Sequence, residues 1–490
     1  MLKKRTAVLL MVAAMICGSL LTFFLSNGNS YAGQAVSGEG LLASITTSTG
    51  LKKEEAQKIG TALDLIKGNY YKDIDRSVLV DGAINGMMQS LSDPYSTYMG
   101  QETAQQFEES IEGSFSGIGA EVSLKEGNVT VVSPIKGSPA EKAGIRSQDV
   151  ILSVNGESLE GLELNAAVSK IRGVKGTTAK VVVKREGVAE PIEFAIVRDD
   201  VDLETVNARM EKDGVGIIEI TQFSLNTADR FKTELTNLEK QGMKGLVIDV
   251  RNNPGGVLSV VIDIAQQFVS KGEPIVQVEN KEGKRDKSLS KGSSKSYPIT
   301  LLMNKGSASA SEILAGALQE SAGVILMGEN SFGKGTVQTS FDKQLGDGSL
   351  LKITIAKWLT PKGTWIHEKG IKPDIAVSQP DYFSVSPINK EKSLQYNMNS
   401  VDVKSAQVML NGLGFNPGRT DGYFDQATEK SVKSFQTSKK LKANGIIDTK
   451  TAVALESELI KHIQDPLNDT QLKQGIAEVQ KEIKAMASKK

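Results

Sequence analysis

The sequence predicts a multidomain α/β protein whose central domain carries a mainly parallel sheet, and three observations support this. From 244 onward, apolar strand-like runs alternate with helical ones: KGLVIDV, VLSVVIDIAQQFV, PIVQVE, YPITLLMN, SEILAGALQES, GVILMG. Residues 113–199 form a β-rich stretch divided by glycines. The flanking regions, 51–110 and 401–490, read as helical. A chain of 490 residues has room for about three domains at roughly 100–200 residues each. The expected partition is 1–32, a signal peptide or membrane anchor; 33–112, a linker and helical segment; 113–199, a small β module; 200–390, the α/β core; 398–456, a small helical domain; and 457–490, a helical arm.

Each element has a local reason. Lys3, Lys4 and Arg5 precede an apolar run from Ala7 to Leu25, and Ser30-Tyr31-Ala32 fits a small-x-small cleavage signal. The run is also long enough for an anchor, and either fate puts the body of the protein outside the plasma membrane. Ile59, Leu63 and Ile66 share one helix face; Leu79, Ile84 and Met87 recur in the same way. Asp93-Pro94 marks a turn within SDPYSTYM. In the β module, GSPAEKAG reads as a short helix opened by Ser138-Pro139 and closed by Gly144, and LELNAAVSKIRG as a second helix. KGLVIDV is apolar throughout, as a strand buried on both faces requires. The basic stretch 280–296 reads as a solvated hairpin loop. In 401–456, GYFDQAT and GIIDTKT repeat G-x-x-D-x-x-T ahead of helical sequence. The tail is charged and helical, suited to packing or dimerisation.

Composition narrows the chemistry. Net charge is zero, so neither a nucleic acid nor an acidic partner is nominated. The one cysteine, Cys17, lies in the N-terminal apolar run, and the two histidines, His367 and His462, are far apart. Disulfides, thiol nucleophiles, Cys-ligated zinc and paired-histidine sites are thereby disfavoured, and neither a metal nor a cofactor is expected. Serine, lysine, carboxylates and backbone remain.

NKGSASASEI follows the strand YPITLLMN, and Ser309-Ala310-Ser311-Glu312 spells the S-x-x-E capping box. Ser309 is thus expected at a helix N-terminus, where unpaired N–H groups and the helix dipole favour negative charge. With the Ala310 N–H facing a developing oxyanion, that location suits a nucleophile. DVRNNPGG offers the amides of Gly255 and Gly256 to a substrate carbonyl, although glycine dihedrals alone would also explain the pair. In GENSFGKGTVQTS, Lys334 could accept the serine proton if burial lowers its pKa. Gln338 would share its side if the loop makes one helical turn. The same loop nearly spells a phosphate-binding G-x-x-x-x-G-K-[ST], but Gly335 stands where a hydroxyl should bind magnesium. His367 is a bystander in a hairpin flanked by Pro361 and Pro373.

Three resemblances sharpen this reading. SPIKGSPAEKAGIRSQDVILSVNGESL resembles a PDZ domain. In that family the loop matched by Gly117, Ile118, Gly119 and Ala120 holds a peptide's terminal carboxylate through backbone N–H groups. AQVMLNGLGFNPGRTDGYFDQATEKSVKSFQ resembles the small helical peptidoglycan-binding domain, and implies peptidoglycan as a partner. LSDPYSTYMG, VIDVRNNPGGVLSVVIDIA, LLMNKGSASASEILAGALQE, SFGKGTVQT and LKITIAKWLTPKGTWIHEKGIKPDI resemble the carboxyl-terminal processing proteases, in that family's order, over about residues 50–378. The export signal and the C-terminal module point to the Gram-positive branch. The resemblance implies a Ser-Lys protease with Ser309 as nucleophile, Lys334 as general base and Gln338 orienting the lysine. It implies backbone oxyanion donors around Gly255 or Gly256 and Ala310, and substrates with free C-terminal tails. It also implies regulated proteolysis, as in sporulation signalling, and a homodimer. A non-enzymatic adaptor on the same scaffold is the alternative, marked by loss of Ser309 or Lys334; both are present.

Overall fold

The computed structural model describes residues 50–125 and 127–488; the expected leader or anchor at 1–32 lies outside them. The described residues divide into two compact units, one before and one from Met88. In the first, the helix Lys53–Asn69 opens with the Lys52 N–H donating to Glu55 Oε2 at 2.9 Å and with Glu54 and Glu55 in its first turn, where the dipole favours acids. No residue of this helix is buried. The helix Arg76–Gln89 then leads into the second unit. Among the described residues, no helix is long and apolar enough to cross a membrane.

The second unit holds the expected parallel sheet. Its strand order is Val206–Met210, Val215–Ile220, Gly245–Asp249, Ile299–Met303, Ile325–Gly328, Ile375–Ala376. Only the first pair is antiparallel. Gly245–Asp249 is buried at every position, which is why KGLVIDV carries no polar alternation. One face packs against the helices Thr227–Lys240, Leu258–Ala265 and Ala310–Ala322.

One strand departs from expectation. Pro274–Asn280 leaves the parallel sheet and joins a second, antiparallel one with Arg285–Leu289 and Leu350–Leu359. The parallel position beside Gly245–Asp249 is taken by Ile299–Met303 instead. The reason lies in the following residues: Arg285–Leu289 returns at once as a hairpin partner, so part of the basic 280–296 stretch is strand. Thr336–Phe341 pairs along Leu350–Leu359 in the same antiparallel sheet.

The β module has its own apolar core around Ile118, Val131, Ile151, Val181 and Ile196. Ser138 caps the predicted short helix by accepting from the Glu141 N–H at 3.3 Å, and Gly144 closes it. The module's entry and exit strands, Ser114–Gly117 and Asp199–Asp202, pair with each other, so the insertion leaves the core through a single antiparallel stem.

The C-terminal repeat has a structural explanation. Gln407 accepts from the Gly422 N–H at 2.9 Å and donates to Thr428 Oγ1 at 2.9 Å, while Asp425 caps the helix by accepting from the Thr428 N–H. Gln436, Gly445, Asp448 and Thr451 repeat the arrangement. The shared glycine, aspartate and threonine therefore build a buried glutamine lock used twice. The helix Thr449–Gln464 runs through the expected boundary at 456. The arm resolves into a second helix, Thr470–Ala487, which lays Leu472 and Val479 on the sheet face lined by Ile217, Val247 and Leu302. Arg251 anchors it. Its guanidinium bonds Asp249 and, at 2.7 and 2.9 Å, Asp469, the N-cap of that helix. Burial works against the Arg251 charge, but the two carboxylates more than restore it.

Candidate active site

Three adjacent parallel strands end at Asp249, Met303 and Gly328, and the loops that leave them converge, as ligand-binding loops of open α/β sheets do. They open on a cleft of about 440 Å³ lined by Gly255, Gly256, Ser309, Ala310, Lys334 and Gln338. All the residues singled out in the catalytic core thus meet in one place, although they lie far apart in sequence.

Ser309 sits at the N-cap of Ala310–Ala322 with φ 54° and ψ −111°. A non-glycine residue with such a φ stores on the order of 1–3 kcal/mol and is held only by its surroundings. The holding group is Glu312, a fully buried carboxyl. Its Oε2 accepts from the Ser309 N–H at 2.8 Å and from the Lys334 N–H at 2.9 Å. Its Oε1 accepts from Ser331 Oγ and the Gly333 N–H, both at 2.6 Å. The capping glutamate therefore does more than close a helix: it fastens the serine turn to the lysine loop.

Asn253 performs a similar task on the other side. It is completely buried; its Oδ1 accepts from the Gly255 N–H at 2.9 Å and its Nδ2 donates to the Ile220 carbonyl. Its own carbonyl accepts from the Ala308 N–H at 3.0 Å and from Ser311 Oγ at 2.9 Å. The glycine pair is thus set against the serine turn. Gly256 has φ 149°, and a Cβ there would fall 2.2 Å from the Phe223 carbonyl oxygen. Gly256→Ala is therefore expected to displace this loop. Turnover should fall about 10²–10³-fold, the usual effect of losing one oxyanion donor, with a lowered melting temperature; kinetics and thermal melts on the same sample check both.

The Lys334 loop does not make the helical turn considered from sequence. It passes directly into the strand Thr336–Phe341, so Gln338 reaches the cleft by strand alternation rather than helical spacing. Gln338 Nε2 donates to Thr336 Oγ1 at 2.9 Å and Thr354 Oγ1 at 3.1 Å. The Lys334 ammonium lies 5.1 Å from the Tyr95 ring centroid, within cation–π range. Tyr95 comes from SDPYSTYM, which is tied to the sheet because Ser96 Oγ donates to Asp93 and accepts from the Thr354 N–H. Burial pushes the Lys334 amine below the usual lysine range, and the Lys352 ammonium pushes the same way, against Asp93 and Glu312. His367 is no rival base: its Nδ1 accepts from the Gly335 N–H at 3.3 Å, and its ring stacks on Trp365. Gly335 also removes the phosphate-loop reading, because a strand rather than a helix follows it.

Sequence similarity fits this architecture. A curated relative, the carboxy-terminal processing protease CtpB of Bacillus subtilis, is 48% identical over 423 residues, covering 86% of this chain and 88% of its own. The chain belongs to the carboxy-terminal processing proteases of peptidase family S41. CtpA of the same organism is 44% identical over 96% of this chain and 97% of its own. A CtpA-like serine protease of Staphylococcus haemolyticus is 39% identical over 82% of each. Family models match peptidase family S41 at 214–377, the activating protease CtpB N-terminal domain at 15–103, a PDZ domain at 130–185 and a peptidoglycan binding domain at 399–455. The chain is a serine-type peptidase, and the adaptor alternative is set aside.

None of Gly117, Ile118, Gly119 and Ala120 lines the cleft. Ile118 is buried, and the Ile118 and Gly119 carbonyls accept from the Ala140 and Ile135 N–H groups. Gly119 sits against Ser138, whose hydroxyl donates to its carbonyl at 2.8 Å, and Ala120 begins the next strand. Gly117 pairs with Asp199 in the stem. Sequence reasoning missed Asn253, Tyr95 and Lys352. Only Tyr95 carried a signal, the conspicuous SDPYSTYM turn.

Proposed function

We propose that this protease is exported, selects protein substrates by their free C-terminal tails through the PDZ domain, and cleaves them at a Ser309-Lys334 site. The observation that carries the reading is the convergence of Ser309, Lys334, Gln338 and the two glycines on one cleft at the carboxyl ends of three strands. Lys334 in its neutral form takes the proton of Ser309 Oγ as that oxygen attacks the scissile carbonyl. Water then resolves the acyl-enzyme. Gln338 holds the lysine through the side-chain oxygen that its two threonine contacts leave available. The Gly255 N–H is committed to Asn253, so the Gly256 and Ala310 N–H groups face the oxyanion. The cation–π contact with Tyr95 stabilises the ammonium and describes a resting state; an incoming peptide that removes water from the cleft favours the neutral amine.

The peptidoglycan-binding module and the CtpA and CtpB relatives support an extracytoplasmic site of action. Exposed apolar residues on the first-unit helices, Ile59, Leu65 and Ile66 among them, support a homodimer. A serine-directed probe should label Ser309 in the wild type and nothing in Ser309→Ala, and comparison of new protein C-termini should identify substrates. Deleting 113–199 should abolish preference for tailed over untagged substrates; equal kinetics on both in the intact enzyme would remove the PDZ role.

The pH dependence has a definite sign. Lys334 must be neutral to act and its pKa is lowered, so activity rises with pH through that depressed value and begins below the ordinary lysine range. An activity profile that rose only at the ordinary lysine pKa would contradict a buried base.

A further inference from the structure

We propose that Lys352 is an electrostatic positioning residue that keeps Lys334 discharged. The inference rests on the Ser-Lys reading of the site. Lys352 lies on Leu350–Leu359 opposite Ser340, two residues from the Thr354–Gln338 pair, so strand alternation turns it to the face that carries Gln338. It lines the same 440 Å³ cleft as Lys334. Its ammonium rests 5.1 Å from the Phe107 ring centroid, and among the described residues no carboxylate pairs with it. Glu109, on the Phe107 helix, is occupied by Arg172 of the PDZ module.

Two ammonium groups facing one partly dehydrated cleft repel each other more than they would in open water, because the local dielectric is lower. Burial disfavours the charge on both amines, and at Lys334 the Lys352 ammonium adds to that effect. Asp93 and Glu312 pull the other way, Tyr95 favours the cation through its ring, and His367 meets Tyr95 edge-on. Both carboxylates are already engaged, Asp93 with Ser96 and Glu312 with four donors, and neither lines the cleft. Lys352 is thus the group on the cleft wall that offsets them. A neighbouring cation is one recognised way to activate an amine.

The test compares kcat/KM against pH for the full-length enzyme, Lys352→Met and Lys352→Arg. Methionine keeps the apolar stem over Phe107 and removes the charge; arginine keeps the charge. The proposal expects the rising limb of Lys352→Met to move to higher pH, with activity recovered at the alkaline end, while Lys352→Arg keeps the wild-type limb. The position of a limb does not depend on how much enzyme is folded. An unmoved limb in Lys352→Met overturns the proposal. So does a pH-independent rise in KM confined to peptides bearing an acidic residue, which would make Lys352 a substrate contact instead. Lys334→Ala serves as the separate control: if it retains wild-type turnover, the Ser-Lys reading fails and not merely the role of Lys352.

Discussion

Lys334→Ala is expected to fold normally and to lose acylation of Ser309, with kcat reduced about 10⁴-fold or more, as for removal of one member of a catalytic triad. The fold survives because the loop is held by backbone. The residue 334 N–H donates to Glu312 Oε2 at 2.9 Å, and its carbonyl accepts from Trp358 Nε1 at 2.8 Å. Neither contact needs the side chain. Removing an amine that burial already disfavours as a cation gives up a cation–π contact with Tyr95 and relieves a desolvated charge, two effects that oppose each other. Melting temperature should therefore change little while burst-phase acyl-enzyme disappears. A melting loss of many degrees would mean the lysine is structural.

Glu312→Ala should do the reverse, damaging stability and catalysis together. Four donors lose their acceptor in a buried pocket: the N–H groups of Ser309, Gly333 and Lys334, and Ser331 Oγ. Each buried donor left unmet costs about 1–3 kcal/mol. Some relaxation follows, so a total near 3–5 kcal/mol is expected, the usual range for breaking a buried polar cluster. The strained Ser309 backbone then relaxes, and the serine and lysine loops lose their common anchor. Glu312→Gln is the instructive comparison. Its oxygen can satisfy one pair of donors, but its NH₂ faces the other pair, so stability should recover in part and activity much less. Chemical denaturation with steady-state kinetics separates the two effects. Full activity in Glu312→Ala would reduce the carboxyl to an ordinary helix cap.

What the sequence made legible follows from how local the physics is. Ser309 could be placed because a capping box is four residues long, and Lys334 because its glycine-flanked loop follows an evident strand. The reach of Glu312 to residues 331–334 was not legible, since hydrogen bonds across 19 to 22 residues leave no spacing rule. Lys352 in LKITIAKWL reads as an ordinary strand lysine; which face it takes depends on pairing with Thr336–Phe341 and on the bulge between Val337 and Gln338. Pro274–Asn280 had the composition for either sheet, and only its hairpin partner decided the matter. The terminal helix was open between packing and dimerisation because its apolar stripe does not name its partner. The Arg251–Asp469 link and the contacts of Leu472 and Val479 fix it on the chain's own sheet.

The most direct measurement is the rate of covalent Ser309 labelling by a serine-directed probe, followed by intact mass across pH in the wild type and in Lys334→Ala. A single rising limb below the ordinary lysine range in the wild type, and no labelling of Lys334→Ala, is the expected result. Labelling of Lys334→Ala at the wild-type rate, or attachment of the probe to another residue, would contradict the assignment of this serine and this lysine.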